Sequence, residues 1–323
     1  MNRREFLRRG VGISAAAVAG SSMPMLAFAA QDAERKPNPA EAARRANAEP
    51  IVPVAVAAGH TMLTGAGGNV SVLHGSGPAL MIDSGLPPRG AELLAKAREI
   101  SGGEVRVLIN THYHFDHAGG NEPFGAAGVT IVSTSNCRQR LVTSQYIETF
   151  DLRTEPAPLA ARPSITFTQP TELHYGDQRI ELFPLPPAHT DGDVAVLITP
   201  TNVLHTGDLF FNGFYPFIDY AAQGSIARMV AAADILLAKI DAATTIVPGH
   251  GPKCGKAQYQ AFRDMLAKLS DRVNKLADEG KSLEEALAAN VTADTDEQWG
   301  KGLFQGRQFI GFVYKGELAA RKK

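Results

Sequence analysis

The sequence has few cysteines and almost no net charge. Only Cys137 and Cys254 occur among 323 residues, and one pair cannot form a disulfide framework, so we expect free thiols. Neither cysteine has the spacing of a structural zinc site. A net charge of −1 gives no field that would attract nucleic acid or a membrane surface, and no Gly-rich loop has the spacing that cradles nucleotide phosphates. With 44% apolar and 20% charged residues, the composition is that of an ordinary soluble globular protein.

The N-terminal residues predict an export signal. Residues 1–9 are basic, the following run is rich in Ala, Gly and Ser, and Ala27-Phe28-Ala29 has the form of a cleavage site. The Arg3-Arg4 pair resembles a twin-arginine signal, a route that carries folded proteins. Glycines and a proline make the run weakly apolar for the alternative, an uncleaved membrane anchor. We therefore expect a signal at 1–29, a loose arm at 30–50, and a periplasmic protein without stable membrane insertion. In that compartment the two cysteines could also pair.

The order of apolar runs predicts two related halves, each a sheet with helices outside. Short apolar runs between residues 51 and 82 predict successive strands, and a helical segment then leads to a buried strand at 105–109. The same order recurs towards His250. The sequence therefore predicts an α/β domain at 51–255, followed by a C-terminal helical extension at 256–323 that packs on it. Between the two halves we expect one more helix and one irregular segment, at residues 136–147 and 151–163.

Candidate metal ligands are concentrated in one short stretch. Four of them lie within six residues, directly after the buried strand and before a Gly-rich turn: His112, His114, Asp116 and His117. Three more lie beside glycines, at the ends of later predicted strands: His189, Asp208 and His250. Imidazole nitrogens and carboxylates suit Zn²⁺ and similar divalent ions. Burying three histidines beside an aspartate would be costly without a metal ion or proton partners. The alternative, an accidental solvated cluster, fits less well because later segments of the chain supply matching ligands.

This ordered set resembles the metallo-β-lactamase-fold superfamily. The resemblance runs from about residue 55 to 255 and includes the turn Asp83-Ser84-Gly85. It implies a four-layer αββα sandwich with a metal site at one edge, between the two sheets. It also implies that Asp208 bridges two ions and that Asp83 orients a ligand histidine through its other ring nitrogen. The remaining candidates divide between the ions: His112, His114 and His189 for the first, and Asp116, His117 and His250 for the second.

The residue at position 208 indicates which branch of that superfamily the chain is similar to. Many antibiotic-hydrolysing members carry Cys or a small polar residue there, whereas the complete His/Asp set looks like the glyoxalase II and lactonase branches. We therefore expect an exported hydrolase with two divalent ions, by default zinc, with iron or manganese as alternatives. Hydroxide between the ions would attack an ester, lactone, thioester or related acyl bond of a small molecule. Asp116 would also carry a proton.

Two rival functions and several details stay open at this stage. The rivals are a true β-lactamase and an iron-dependent sulfur oxygenase of the same fold. The sequence fixes neither the physiological substrate nor the oligomeric state, and a homodimer is one option. A run of six aromatics at 209–220 follows Asp208 directly. We expect Phe210, Phe211 and Tyr215 to contact substrate, with core packing as the alternative.

Overall fold

Two β-sheets face each other in a computed structural model of the chain, which describes residues 48–322. The predicted export signal and residues 30–47 of the predicted arm lie outside this range. The strands are β1 (Val52–Ala57), β2 (His60–Thr64), β3 (Val70–Leu73), β4 (Ala79–Ile82), β5 (Val105–Ile109), β6 (Thr130–Thr134), β7 (Gln145–Ile147), β8 (Leu152–Thr154), β9 (Ile165–Phe167), β10 (Thr171–Tyr175), β11 (Gln178–Pro184), β12 (Val194–Ile198), β13 (Val203–Phe211), β14 (Thr245–His250) and β15 (Cys254–Gly255). The helices are α1 (Gly90–Ser101), α2 (Asn121–Ala126), α3 (Ser135–Leu141), α4 (Ile226–Leu237), α5 (Lys256–Asp278), α6 (Leu283–Ala288), α7 (Asp296–Trp299) and α8 (Gly306–Ala320).

The first sheet has seven strands in the order β1-β2-β3-β4-β5-β6-β9. Strands β1 to β4 pair antiparallel, and β4, β5, β6 and β9 pair parallel. Strand β4 shows how the sheet divides its apolar residues, because side chains alternate between the two faces. Ala79 and Met81 pack on the helix side, while Leu80 and Ile82 face the other sheet. Since β4 and β5 are parallel, the residues that follow both strands lie at the same edge.

The second sheet has six strands in the order β10-β11-β12-β13-β14-β15. Strands β13 and β14 pair parallel, and the other pairs are antiparallel. In β12, Val194 and Val196 face the first sheet, whereas Ala195 faces the helices. The parallel pair again brings the carboxyl ends of two strands to one edge, and this edge meets that of the first sheet through a hydrogen bond from Val194 N to Thr111 O (2.9 Å).

Three large apolar clusters separate four layers. One lies between the first sheet and its helices, one between the two sheets, and one between the second sheet and the C-terminal helices. Helix α5 begins at Lys256, and the buried face of α8 joins the third cluster through Phe309 and Val313. The predicted αββα sandwich with a C-terminal helical extension is therefore confirmed. No helix within the described residues is long and apolar enough to cross a membrane.

The helix predicted at 136–147 is too long. Helix α3 ends at Leu141, and β7 replaces the end of the predicted helix. It pairs as a hairpin with β8, which occupies the start of the segment predicted to be irregular. The Gln145 side chain donates hydrogen bonds to the carbonyls of Arg140 (3.1 Å) and Thr143 (3.2 Å), which satisfies carbonyl groups that a continuing helix would have used. Both cysteines are free thiols, as predicted.

Candidate metal centre

Asp83 fixes the His-rich loop that follows β5. It directly follows β4 in the left-handed backbone region (φ 65°), which is uncommon for a residue other than glycine and occurs where the surroundings enforce it. Its carboxylate accepts hydrogen bonds from Thr111 N (2.8 Å), Thr111 Oγ1 (2.7 Å) and His117 Nδ1 (2.8 Å). The start and the end of the loop are thereby held by one buried carboxylate.

The second half of the chain supplies its candidate ligands from a turn and two strands. His189 lies in a turn that Asp193 closes by accepting hydrogen bonds from His189 N (2.8 Å) and from the Thr190 hydroxyl (2.5 Å). Asp208 was predicted to follow its strand, but β13 continues past it to Phe211. A bulge at Gly207, where φ is +51°, lets the strand continue and turns the Asp208 side chain towards the loop after β5.

The first group of candidate ligands consists of His112, His114, His189 and Asp208, which are all buried. One ring nitrogen of each histidine has a polar partner outside the group. His112 Nδ1 lies 3.0 Å from the Thr111 hydroxyl, and since that hydroxyl donates to Asp83, it accepts from the histidine. His114 Nε2 donates to Asp219 Oδ2 (3.0 Å), and His189 Nδ1 donates to the Phe217 carbonyl (2.9 Å).

With their protons placed in this way, the remaining ring nitrogens present lone pairs to one another. His114 Nδ1 lies 2.9 Å from His189 Nε2, and His112 Nε2 is buried without a hydrogen-bond partner. Two lone pairs at this distance repel unless a cation or a shared proton lies between them. The arrangement fits a metal ion, because neutral imidazoles oriented by an outer hydrogen bond are the usual form of histidine ligands.

The second group consists of Asp116, His117 and His250, and it lies on the more open side of the site. Asp116 is 20% exposed and His250 is 19% exposed, whereas His117 is fully buried. His117 Nε2 and His250 Nε2 are 3.3 Å apart, and His250 Nε2 is 3.2 Å from Asp116 Oδ2. Because His117 Nδ1 is bound to Asp83, its Nε2 is the atom directed into the group.

Asp208 lies between the two groups and directs one oxygen to each. Its Oδ2 is 3.7 Å from His112 Nε2 and 3.4 Å from His189 Nε2. Its Oδ1 is 3.0 Å from His117 Nε2 and 3.4 Å from His250 Nε2. A Cβ atom on Gly249 would lie 2.0 Å from this Oδ1, so glycine at that position leaves room for the carboxylate.

The electrostatics differ between the two groups. Burial lowers the pKa of His112 well below its ordinary value and that of His189 to about 4, so both rings are held neutral. In the second group burial also favours neutral rings, but Asp208 and Asp116, together with the hydrogen bonds to Asp208 and Asp83, outweigh it and raise the pKa of His117 well above its ordinary value. The same balance raises the pKa of His250 to about 9. Asp116 and Asp208 therefore require positive charge beside them, as protons or as a cation.

The donor set fits divalent metal ions. Imidazole nitrogens and carboxylate oxygens, all within 4.8 Å of one another in each group, match the ligands of Zn²⁺ and other borderline ions. The lone pairs of the first group and the carboxylates of the second both call for a cation. The residues brought together are the seven that the sequence predicts.

Sequence reasoning missed Asp219, which supports the first group. Asp219 is 1% exposed and accepts hydrogen bonds from His114 Nε2 and from the Tyr113 hydroxyl. Burial would raise the pKa of Asp219, but His114 and the hydrogen bonds from Tyr113 and Ala222 N together outweigh it and lower the pKa to about 2. The carboxylate therefore stays ionised and holds the His114 ring with Nδ1 towards the group. It lies within the aromatic run after Asp208, and nothing in the local pattern separates it from a turn residue.

The three aromatic residues predicted to contact substrate have different surroundings. Phe211 stacks on the His250 ring, with centroids 5.1 Å apart. Phe210 instead packs on Tyr259 and Phe262 of α5, and Tyr215 stacks on Phe309 of α8. These contacts place Phe210 and Tyr215 in the helical core, whereas Phe211 is the one of the three that contacts a candidate ligand.

Comparison with known proteins identifies the family. Residues 63–250 match the family model of the metallo-beta-lactamase superfamily, and the chain belongs to that superfamily. A human acyl-coenzyme A thioesterase, MBLAC2, is 22% identical over 204 residues, which are 56% of this chain and 72% of that protein. A hydroxyacylglutathione hydrolase from Maricaulis maris (strain MCS10) is 27% identical over 123 residues, which are 38% of this chain and 40% of that protein. Membership of this superfamily, together with these hydrolase relatives, identifies the chain as a metal-dependent hydrolase.

Solved structures of the same family agree with the fold. A metallo-beta-lactamase from Pontibacter korlensis has a TM-score of 0.54 at 21% identity and covers 68% of this chain and 99% of its own. The DIM-1 metallo-beta-lactamase has a TM-score of 0.55 at 20% identity, with 67% of this chain and 97% of its own covered. At such identities the likeness shows the sandwich architecture alone.

Proposed function

We propose that the chain is a hydrolase with two divalent metal ions that cleaves the acyl bond of an ester, thioester or lactone. The observation that carries the proposal is Asp208, which presents one carboxylate oxygen to each ligand group. A residue in this position ties both groups into one centre, in which the first group would hold one ion and the second group the other. Zinc is the default metal because of the donor set.

Two ions held here would supply electrophilic activation of a carbonyl and a water that ionises near neutral pH. The residues of the chain supply orientation and proton transfer. Asp83, Thr111 and Asp219 hold the ligand rings, so that no rearrangement is needed during the reaction. Asp116 Oδ2 faces the open side of the centre beside His250 Nε2, and we place at this atom the transfer of a proton from water to the leaving group.

Two relatives support an acyl bond as the target. Both an acyl-coenzyme A thioesterase and a hydroxyacylglutathione hydrolase are hydrolases of acyl compounds by name. Beside the first group, aromatic side chains from separate segments form an apolar surface. Phe217 lies 5.6 Å from the His114 ring, and half-buried Phe150 and Phe312 pack against it at 4.8 and 5.9 Å. This surface suits an apolar acyl group.

The proposal is tested by metal analysis and a substrate panel. The purified protein should contain two divalent ions per chain and should hydrolyse thioesters, esters or lactones more efficiently than β-lactams. Removal of the ions with a chelator should abolish activity, and added Zn²⁺ should restore it. If the enzyme hydrolyses β-lactams more efficiently than the other substrates, the proposed ester, thioester or lactone substrate is wrong and the protein is a β-lactamase. If the purified protein contains stoichiometric iron and consumes oxygen, the proposed hydrolysis is wrong and the reaction is oxidative.

We also propose that the chain is exported to the periplasm, supported by the Arg3-Arg4 pair and the cleavage site at Ala27-Phe28-Ala29. Replacing both arginines by lysine should leave the protein in the cytoplasm with an uncleaved N-terminus. Unchanged periplasmic recovery of the double variant would contradict export by the twin-arginine route.

A further inference from the structure

The turn between β2 and β3 contacts every residue of the second ligand group or its flanking backbone. This turn, residues 65–69, has the sequence Gly-Ala-Gly-Gly-Asn, and we call it the brace. It belongs to the first sheet, as does the loop that carries Asp116 and His117. His250 ends a strand of the second sheet, so the second group must be assembled across the gap between the sheets.

The brace meets the loop after β5 at very short range. Gly68 N donates a hydrogen bond to Asp116 O (3.0 Å). A Cβ atom on Gly68 would lie 2.2 Å from Cε1 and 2.3 Å from Nε2 of His117, so a hydrogen is all that fits between the backbone and this ring. Gly67, with φ +109°, would place a Cβ atom 2.7 Å from Asp116 O. Both glycines are therefore required by the close approach, and Gly67 is favoured by its positive φ as well.

Asn69 joins the brace to the loop that carries His250. Its side-chain amide donates two hydrogen bonds, to Pro248 O (2.8 Å) and Gly251 O (2.8 Å). Its backbone N donates a third, to Gly249 O (2.7 Å). Asn69 is 5% exposed, so these bonds are shielded from water, and they hold the chain on both sides of His250.

The other end of the brace is fixed to the frame of the first sheet. Leu86 N donates to Ala66 O (2.8 Å), and the Arg89 guanidinium donates to Gly65 O (2.9 Å). Leu86 follows the turn that begins with Asp83, so the support of the brace and the support of His117 come from the same segment. The brace is thus held by hydrogen bonds to the first sheet at Gly65 and Ala66, and it contacts the second group through Gly68 and Asn69.

We propose that Gly68 and Asn69 are positioning residues for the second metal ion, so that the two-ion state depends on the brace and the first ion does not. The inference rests on the proposed two-ion function. Its physical basis is that His117 Nε2 and His250 Nε2, 3.3 Å apart, come from different sheets. Gly68 sets the position of one ring, and Asn69 sets the position of the loop that carries the other.

The test compares Asn69→Asp and Gly68→Ala with wild type in metal titrations. Asn69→Asp keeps the side-chain shape but replaces the amide nitrogen, which donates both hydrogen bonds, by a carboxylate oxygen that faces the same two carbonyls. Matched controls are Gly77→Ala, which meets no atom within 4 Å in the next turn of the same sheet, and Asn136→Asp, whose amide makes one exposed hydrogen bond to Asp191 O. The readouts are bound Zn²⁺ per chain in native mass spectrometry and stepwise affinities from calorimetry.

We expect two ions in wild type and in both controls. Gly68→Ala and Asn69→Asp should bind the first ion with nearly unchanged affinity and the second about 10- to 100-fold more weakly, the range typical of lost outer support. Two ions with wild-type affinities in both variants, or equal weakening of both ions, would overturn the inference alone. A wild type that binds a single ion would overturn the proposed two-ion function and the inference together. If Gly68→Ala fails to fold, as judged by near-UV circular dichroism, Asn69→Asp and Asn69→Ser decide.

Discussion

Replacing Asp208 by alanine tests the feature on which the two-ion centre depends. The carboxylate is 5% exposed, and its two oxygens lie 3.0 to 3.7 Å from ring nitrogens of four histidines. Asp208 also raises the pKa of His117 and of His250 against the effect of burial. The substitution therefore removes a ligand atom from each group and the negative charge that balances a cation there.

The size of the effect follows from the burial of this charge. Removing one partner of a buried, hydrogen-bonded charge pair costs about 3 to 5 kcal/mol. Since each 1.4 kcal/mol is a factor of ten in a binding constant, the affinity for the second ion should fall by roughly two to four orders of magnitude. The first ion should be weakened less, because three oriented histidines remain. Asp208→Asn, which keeps the shape without the charge, should give an intermediate loss.

Metal content after dialysis and hydrolysis of the best panel substrate measure this prediction. Asp208→Ala should retain one ion or fewer per chain and should lose most of its activity at metal concentrations that saturate wild type. High concentrations of Zn²⁺ should restore part of the second occupancy. Two tightly bound ions together with undiminished turnover would show that Asp208 does not join the two groups, and the bridging role would have to be abandoned.

Three further predictions concern two groups near the centre and one buried histidine of the first sheet. Asp219→Asn should weaken the first ion about 10- to 100-fold, because the carboxylate holds His114, and should spare the second; equal loss of both ions in a titration would contradict this. His60 is buried with its pKa lowered to about 4, so the unfolded chain binds more protons between pH 4 and about 6.5, and stability should rise with pH across that window. The free energy of unfolding, measured in urea as a function of pH, should therefore rise less steeply in His60→Gln, by up to about 1.4 kcal/mol per pH unit. Equal slopes for the variant and wild type would refute the assignment of this pH dependence to His60. Phe312→Ala should lower kcat/KM about tenfold for a phenylacyl thioester and hardly for the acetyl analogue, with Tyr146→Ala as control; equal losses on both substrates would indicate a purely structural role.

The candidate ligands were predictable because their pattern is local and their order is diagnostic. Each lies in or beside a strand that apolar runs reveal, and parallel strands bring their carboxyl ends to one edge. The supports of these ligands were not predictable in the same way. Asn69 and its acceptors are about 180 positions apart, and Asp219 is 105 positions from His114. A hydrogen bond across such a separation leaves no periodicity in the sequence.

The aromatic run after Asp208 shows a second limit. Phe210 and Phe211 are neighbours in β13, and alternation requires their side chains to point to opposite faces. The sequence therefore implies that they have different surroundings, but it does not tell which face holds the ligands. That face is decided by the bulge at Gly207, which shifts the register of β13 against β14. Phe211 consequently reaches His250, and Phe210 packs on the helices.

The two ligand groups differ in how their histidine rings are held, and this difference bears on the proposed role of the brace. In the first group, every histidine ring has its proton committed to a buried partner, and the pKa values of His112 and His189 are lowered, so the group is ready to receive a cation. In the second group, the rings share protons with carboxylates, and the group lies partly open to solvent through Asp116 and His250. His117 and His250 also come from different sheets, so their mutual position depends on contacts between the sheets. In our proposal those contacts are supplied by Gly68 and Asn69.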